Sequence, residues 1–440
     1  MPGIAADVDI AALDVALGGA PPVVRAEAFV YPGAVPAFET ADGARRQRPD
    51  GDRLRLYVHV PFCNYHCDYC HFATRVDDSV ERRERYLDAL VRELEWIGPG
   101  TPLSQLFVGG GTPTALAPGQ LDRLLGAVFE RTTRVPGNEH TCEGSPESIT
   151  GAHLEVLARR GVGRLSMGVQ SLDDAVLGSV RRRHDRRQVL AAVDQVLETG
   201  RILNVDLIYG LPGQTEQGFR RDVQTLAERG VHSFTLYALR VRDGSSVGRD
   251  LGRRSQRLGL ARLLRWRACV ADLTAELGLV QARPHTFKRP GSLADRHHRE
   301  VCFDGSVRGF QLGVGLSARS QLGEHLFRNH ADLETYVDAV ESGREPVESV
   351  FRLRPDDRST KFIARSLGEG QRLRRADYAA AFGRAFDDDH GEALSRLVPG
   401  GLLTDDGDSL EMTALGRLVY DRVLVNFYPQ RARDWLRQDA

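Results

Sequence analysis

The chain has 440 residues, and 59 Lys and Arg against 60 Asp and Glu leave a formal charge of -1, so no bulk electrostatic pull toward nucleic acid or an anionic membrane is expected. That length allows two or three domains around a large core, and no apolar run reaches the roughly 18 residues of a membrane span. Six cysteines are too sparse for a disulfide framework and no secretory signal is read at the start, so reduced thiols and a cytoplasmic setting are expected.

Residues 1–52 read as an N-terminal extension. Ile10 to Leu17 fits one short amphipathic helix, and Pro- and Gly-rich stretches follow. Leu54 to Val60 alternates as a buried strand does and ends at Pro61, which cannot donate to a ladder, so a loop must follow. That loop carries Cys63, Cys67 and Cys70 in a C-x3-C-x2-C spacing. Soft sulfur ligands this close fit either zinc or an iron–sulfur cluster. A closed zinc site needs a fourth ligand, which His66 or His71 would supply; a cluster on three thiolates leaves one iron open.

From 53 to 285 strands and helices alternate. Helices are expected over Val80 to Ile97 and Leu121 to Phe129, and strands over Gln105 to Val108, Glu139 to Glu143, Arg164 to Gln170, Asn204 to Tyr209 and Ser233 to Leu239. Such alternation implies a parallel sheet with helices outside, and functional residues at the carboxyl ends of its strands. Gly109, Gly110, Gly111 and Thr112 follow one strand, and glycines there let backbone amides approach a ligand. Glu143, Gln170 and Asp206 are polar groups near the ends of otherwise apolar strands. Three on successive strands beside a thiolate triplet point to a binding site, where a carboxylate takes a ribose diol or an ammonium and Gln170 does so without charge. Residues 286–350 read as a bridging segment completing the barrel edge. Residues 351–440 read as three helices, a hairpin around Leu402 to Leu410 and a further helix from Leu410, a winged-helix-like order without a basic recognition stripe.

With Tyr69 before the last cysteine and Tyr57-Val-His-Val-Pro-Phe-Cys63 ahead of it, the triplet resembles the radical S-adenosylmethionine (SAM) superfamily, in its oxygen-independent coproporphyrinogen III oxidase-like branch. Gly109 to Thr114, Leu165 to Ser171, Asn204 to Thr215 and Gln311 to Ser320 resemble further segments of that family. The resemblance implies an α/β fold: a partial TIM-like (β/α)6 barrel over 53–285, with a mainly helical, winged-helix-like cap over 351–440 that closes as a lid. It implies a 4Fe–4S cluster on Cys63, Cys67 and Cys70, with the methionyl amine and carboxylate of SAM on the open iron. Tyr57, Gly110 and Glu143 correspond to contacts of that SAM, and Tyr69 joins the cofactor set. Gly111, Thr112, Gln170, Arg182, Asp206 and Ala238 correspond to contacts of a second SAM. Arg319 stands where the oxidase has an aliphatic contact to the first. Tyr57, Glu143, Gln170 and Asp206 are the implied catalytic group.

Two departures direct the expected reaction. The cluster loop continues Cys70-His-Phe-Ala-Thr-Arg75 where the porphyrinogen oxidase typically has Cys-Gly-Cys-Asn-Lys, and His298-Arg-Glu-Val-Cys302 stands where the haem chaperones have His-Asn-x-x-Tyr. They lead to the two-SAM methyltransferases and cyclopropanases: methylene transfer to an sp2 carbon of an unsaturated or heteroaromatic small molecule, in natural-product biosynthesis, with a flavodoxin- or ferredoxin-type electron donor. Porphyrinogen decarboxylation and haem trafficking are the alternatives.

Overall fold

The computed structural model describes residues 9–20, 39–40, 46, 53–76, 79–137, 140–240, 260–292 and 310–438. Six parallel strands form its frame: Leu54–Val60 (β1), Thr101–Gly110 (β2), Thr141–Gly144 (β3), Arg164–Gln170 (β4), Ile202–Tyr209 (β5) and Ser233–Ala238 (β6). Each obeys the two-residue period of a strand. On one face Leu56, Val58, Val108, Leu165, Val205 and Phe234 join a single core with the covering helices. The alternate face is polar: the pairing places His59, Gly109, Glu143, Ser166 and Asn204 in one cross-strand row, and Gly168, Asp206 and Thr235 in the next. Two faces of opposite character are what a barrel wall with a functional interior requires.

The helices start where their sequences allow. Helix α1 (Ile10–Ala16) is capped by Asp9, α2 (Val80–Leu94) by Ser79, and α3 (Pro118–Arg131) has Pro in its first turn. Asp173 caps Asp174–Ser179, and Asp185 with Gln188 forms a capping box for Arg186–Glu198. The stop of α2 at Leu94, short of the expected Ile97, leaves Glu95 to Ile97 as a turn.

Among the described residues the sheet has 14 strands and does not close. At one margin Thr286–Lys288 (β8) runs antiparallel to β6, with Val280–Arg283 (β7) outside it. At the other, Phe310–Val314 (β9) is parallel to β1, and the antiparallel strands Arg319–Leu322 (β10), His325–Asn329 (β11) and Val347–Arg352 (β12) extend outward. The turn after β9 is fixed by buried Glu93, which accepts from Gly315 N (2.7 Å), Tyr336 Oη (2.7 Å) and Asn329 Nδ2 (2.8 Å) and pairs with Arg46 at 3.0 Å.

The C-terminal residues build a second core. Pro355–Ser366, Arg375–Phe382 and Phe386–Leu397 are followed by a hairpin of Leu403–Asp405 and Ser409–Met412, onto which Leu373–Arg374 adds a third strand. The helix expected from Leu410 begins later, at Ala414: Ser409–Met412 is strand, and Thr413 Oγ1 caps the helix by accepting from Gly416 N at 2.9 Å. Leu13 and Leu17 from α1 pack into this core, and Arg422 donates to the Ala20 carbonyl. The barrel side is joined through Arg267 on Leu260–Glu276, whose guanidinium forms two 2.9 Å bonds to Asp421 on Tyr420–Val425. Among the described residues no helix is long and apolar enough to cross a membrane.

Candidate active site

The ends of β1 to β6 bring together most of the residues singled out from sequence. Past β1, Pro61 and Phe62 turn the chain into the cysteine loop. Gly111 N donates to the Val60 carbonyl (2.7 Å) and Thr112 N to the Phe62 carbonyl (2.8 Å), stitching the glycine segment to the loop base. A Cβ on Gly111 would lie 2.7 Å from the Pro61 backbone, so glycine is required by close approach. Gly110 adopts φ +113°, in the region that favours glycine, and its N–H donates to Glu143 Oε2 at 3.2 Å.

All three loop cysteines are free thiols, and Thr112 Oγ1 lies 3.6 Å from Cys63 Sγ. Burial pushes the Cys63 thiol up to about 11 and the Cys70 thiol above its ordinary value, with the neighbouring thiols adding to both. Thiolates here therefore need a cation. Among the described residues no group of three or more Cys, His, Asp or Glu gathers as the ligands of one ion do; a cluster instead takes each thiolate on a separate iron. Arg182 supports the loop from behind: Nη1 donates to Cys67 Sγ at 3.4 Å, and Nη2 donates to the Gly168 carbonyl.

Behind Arg182 lies a network that sequence reading did not assign. Glu147 accepts from Tyr65 Oη (2.8 Å), and its other oxygen lies 2.8 Å from His184 Nδ1, while His184 Nε2 lies 3.0 Å from the Val169 carbonyl. Although burial opposes it, the His184 contact and the Arg182 charge hold the Glu147 carboxyl down at about 2. The available signal was spacing: Glu147 is four residues past Glu143 and His184 two past Arg182.

On the inner face, burial and then the Asp206 charge push Glu143 up to about 8, against the Gly110 bond and Arg164. Asp206 is raised by burial, with Arg164 opposing, and accepts from Asn204 Nδ2 (2.7 Å) and Ser166 Oγ (3.1 Å). Tyr57 Oη donates to His59 Nδ1 at 3.0 Å, and burial holds His59 down at about 4. Gln170 ends β4 after a bulge and adopts φ +71°, a left-handed conformation unusual for a side-chain-bearing residue. Its amide nitrogen would lie 2.9 Å from a Cβ at Gly168. Such a re-aimed, strained residue at a strand end is typical of a binding position. Tyr69 packs against the small cluster of Val176, Val180, Ile208, Leu211 and Leu239, and Ala238 ends β6 opposite Tyr209. Arg319 is exposed at the start of antiparallel β10, where its backbone lies against Gly313, the β9 partner of Tyr57.

Residues 57–226 match the Radical SAM superfamily. The oxygen-independent coproporphyrinogen III oxidase of Escherichia coli strain K12 is 30% identical over 416 residues, covering 89% of this chain and 88% of that protein. This chain belongs to the oxygen-independent coproporphyrinogen III oxidase-like family of radical SAM proteins. The heme chaperone HemW of Lactococcus lactis is 27% identical over 381 residues, covering 84% of this chain and 97% of its own. The solved E. coli coproporphyrinogen III oxidase (HemN) superposes with a TM-score of 0.73 at 27% identity, covering 85% and 90% of the two chains.

The radical SAM family uses a 4Fe–4S cluster and SAM, and the ring described here fits them: three free thiols on one loop, an adjoining close-packed glycine segment, and the Glu143 carboxyl bonded to that segment. The expectation of methyl or cyclopropane transfer is corrected, because these relatives are named for coproporphyrinogen oxidation and haem chaperoning. Its basis was position-blind. Phe72 in the departing loop segment is 63% exposed and stacks on His71 at 4.8 Å, so that segment includes outer surface. His298 to Cys302, the other basis, lies outside the described residues.

Proposed function

We propose that this protein is a radical SAM enzyme of porphyrinogen metabolism, acting on propionate side chains as a coproporphyrinogen oxidase does. The observation that carries it is full-length similarity to the E. coli oxidase, through barrel and C-terminal module alike. When bound, the cluster and SAM supply a 5′-deoxyadenosyl radical that takes a hydrogen atom from a substrate carbon. Loss of that hydrogen from a propionate, departure of its carboxylate as carbon dioxide and passage of one electron to an acceptor leave a vinyl group.

The chain's own residues have separable tasks in this reading. Cys63, Cys67 and Cys70 hold the cluster, and Arg182 steadies Cys67. The Gly109–Thr112 segment borders the cysteine loop with bare backbone: the N–H groups of Gly110, Gly111 and Thr112 are bonded to Glu143, Val60 and Phe62, and Gly111 packs too closely on Pro61 and Phe62 for a side chain. Glu143, held largely protonated near neutral pH, is a hydrogen-bond donor as well as an acceptor. Asp206, oriented by Asn204 and Ser166, is suited to a ribose diol, and Gln170 to polar groups at the next strand end. The distribution of Gly111, Thr112, Gln170, Arg182, Asp206 and Ala238 around the strand ends supports room for a second SAM, with Arg182 also steadying the cysteine loop.

The test is anaerobic turnover of reconstituted protein with SAM, reductant and coproporphyrinogen III, following 5′-deoxyadenosine, carbon dioxide and vinyl-bearing product. Matched formation of the three is expected. Haem binding without carbon dioxide release would move the reading to the role for which the HemW relatives are named.

A further inference from the structure

The chain leaves β4 through an unusually tight turn. Ser171 N donates to the Val169 carbonyl at 2.9 Å, closing a ring around Gln170, whose φ is +71°. A bond to the second residue back, around a positive φ, makes the rare and strained form of the γ-turn. Such a conformation persists only where the surroundings over-determine it.

The surroundings do so from two sides. On one, the Val169 carbonyl lies 3.0 Å from His184 Nε2, and the Gly168 carbonyl accepts from Arg182. On the other stands Asp222. Its Oδ2 accepts from Ser171 Oγ at 2.7 Å and from Leu172 N at 2.9 Å, and Ser171 Oγ accepts in turn from Asp173 N at 3.1 Å. Asp222 belongs to the helix Glu216–Glu228, whose Phe219, Val223 and Leu226 pack into the core on the outer face of the sheet. It is therefore outside the ring of strand ends, and both it and Ser171 are buried. Burial pushes its carboxyl above the ordinary range, against the bonds from Leu172 N and Ser171. A carboxylate in an apolar layer is costly unless its bonds are needed, and both of these go to the turn.

The backbone at 170 also sets where its side chain goes. The Gln170 amide nitrogen is folded back over Gly168, where a Cβ would lie 2.9 Å from it, and Gly168 pairs with Asp206 on the next strand. We propose that Asp222 is a positioning residue: from outside the ring it locks the strained turn, and the turn holds the Gln170 amide over Gly168 for a bound ligand. This rests on the reading of Gln170 as a ligand contact and is independent of which substrate the enzyme takes.

The probe is radiolabelled SAM, in equilibrium dialysis against anaerobically reconstituted holoprotein, with iron content measured alongside. Asp222→Leu removes the acceptor, whereas Asp222→Asn keeps one oxygen for both donors. The first is expected to weaken a phase of the SAM isotherm by about tenfold, the scale of one misplaced hydrogen bond, and the second to stay within about twofold of wild type. Iron content should not change in either. Ser171→Ala deletes one of the two donors, covers the case in which Asp222→Leu does not fold, and should weaken binding by an intermediate factor. Gln170→Gly removes both the amide and the strain, so adding Asp222→Leu to it should weaken binding no further. Wild-type affinity in the folded Asp222 or Ser171 variants, beside a weakened Gln170→Gly, would overturn the role of Asp222 and leave Gln170 a contact. Asp222→Asn as weak as Asp222→Leu, or a further loss in the double variant, would overturn it too. Wild-type affinity in Gln170→Gly would overturn both readings.

Discussion

Replacing Glu143 by Gln keeps an acceptor for the Gly110 N–H and removes a carboxyl whose ionisation is opposed by burial and by Asp206. An ordinary value of 4.5 raised to about 8 means that the folded protein holds a proton that the unfolded chain has released over that interval. Stability contributed by this group is complete below the unfolded value and is lost as pH rises through the folded one. At about 1.4 kcal/mol per pH unit, the interval sets a ceiling of ~5 kcal/mol. Glu143 is only half-buried, so water reaching its carboxyl brings the expected figure to about 2 kcal/mol. Urea denaturation of the cluster-free protein between pH 5 and 9 reads this directly. The Gln variant, referred to wild type, should gain progressively as pH rises and be ahead by about 2 kcal/mol at the alkaline end. Other groups titrate in both proteins and cancel in the difference. Parallel pH profiles would refute the reasoning, as would a wild-type protein that gains on the variant.

Four further perturbations separate the parts of the site. Cys63→Ala, Cys67→Ala and Cys70→Ala should each abolish SAM cleavage; normal 5′-deoxyadenosine yield from any of them would remove that residue from the ligand set. Glu147→Ala leaves His184 and Arg182 without their shared carboxylate, and iron content after reconstitution should fall with far-ultraviolet dichroism unchanged; full iron loading would deny the network a positioning role. Arg267→Met strands Asp421 in the seam, at a cost of about 3–5 kcal/mol, whereas Arg267→Met with Asp421→Leu should recover most of it, and denaturation midpoints that stay low in the double variant would contradict this. Gln170→Gly should raise thermal stability by about 1 kcal/mol through relief of its left-handed backbone, while SAM cleavage falls; a less stable protein would mean that the amide's contacts outweigh the strain.

The legible parts of the chain were those written in local periodicity or local spacing. β1 matches its expected bounds, and the cysteine triplet, the glycine segment and the three polar strand ends fall in one ring because a parallel strand repeats every two residues. Boundaries failed where a cap rather than hydrophobicity decides them, as at Thr413, whose hydroxyl caps the helix that begins at Ala414 and that the apolar pattern started four residues earlier, at Leu410. The Glu147–His184–Tyr65 network was hidden for a different reason. Its members are single polar residues from three loops, joined only when β4 and the cysteine loop are placed side by side. The bulge that re-aims Gln170 was equally silent, since nothing local distinguishes it from an ordinary strand end.

Reaction type was misread for a reason that the architecture makes plain. The inner face is assembled from strand ends whose polar residues are positioned by register, so family-level chemistry is concentrated there and readable. What distinguishes one substrate from another must touch the ligand beyond those ends, in segments that the strand register does not position. Sequence departures near Cys70 looked informative because they sit beside the motif, yet Phe72 points to solvent. Proximity in the chain to a cofactor ligand is therefore a poor guide to substrate specificity in this fold.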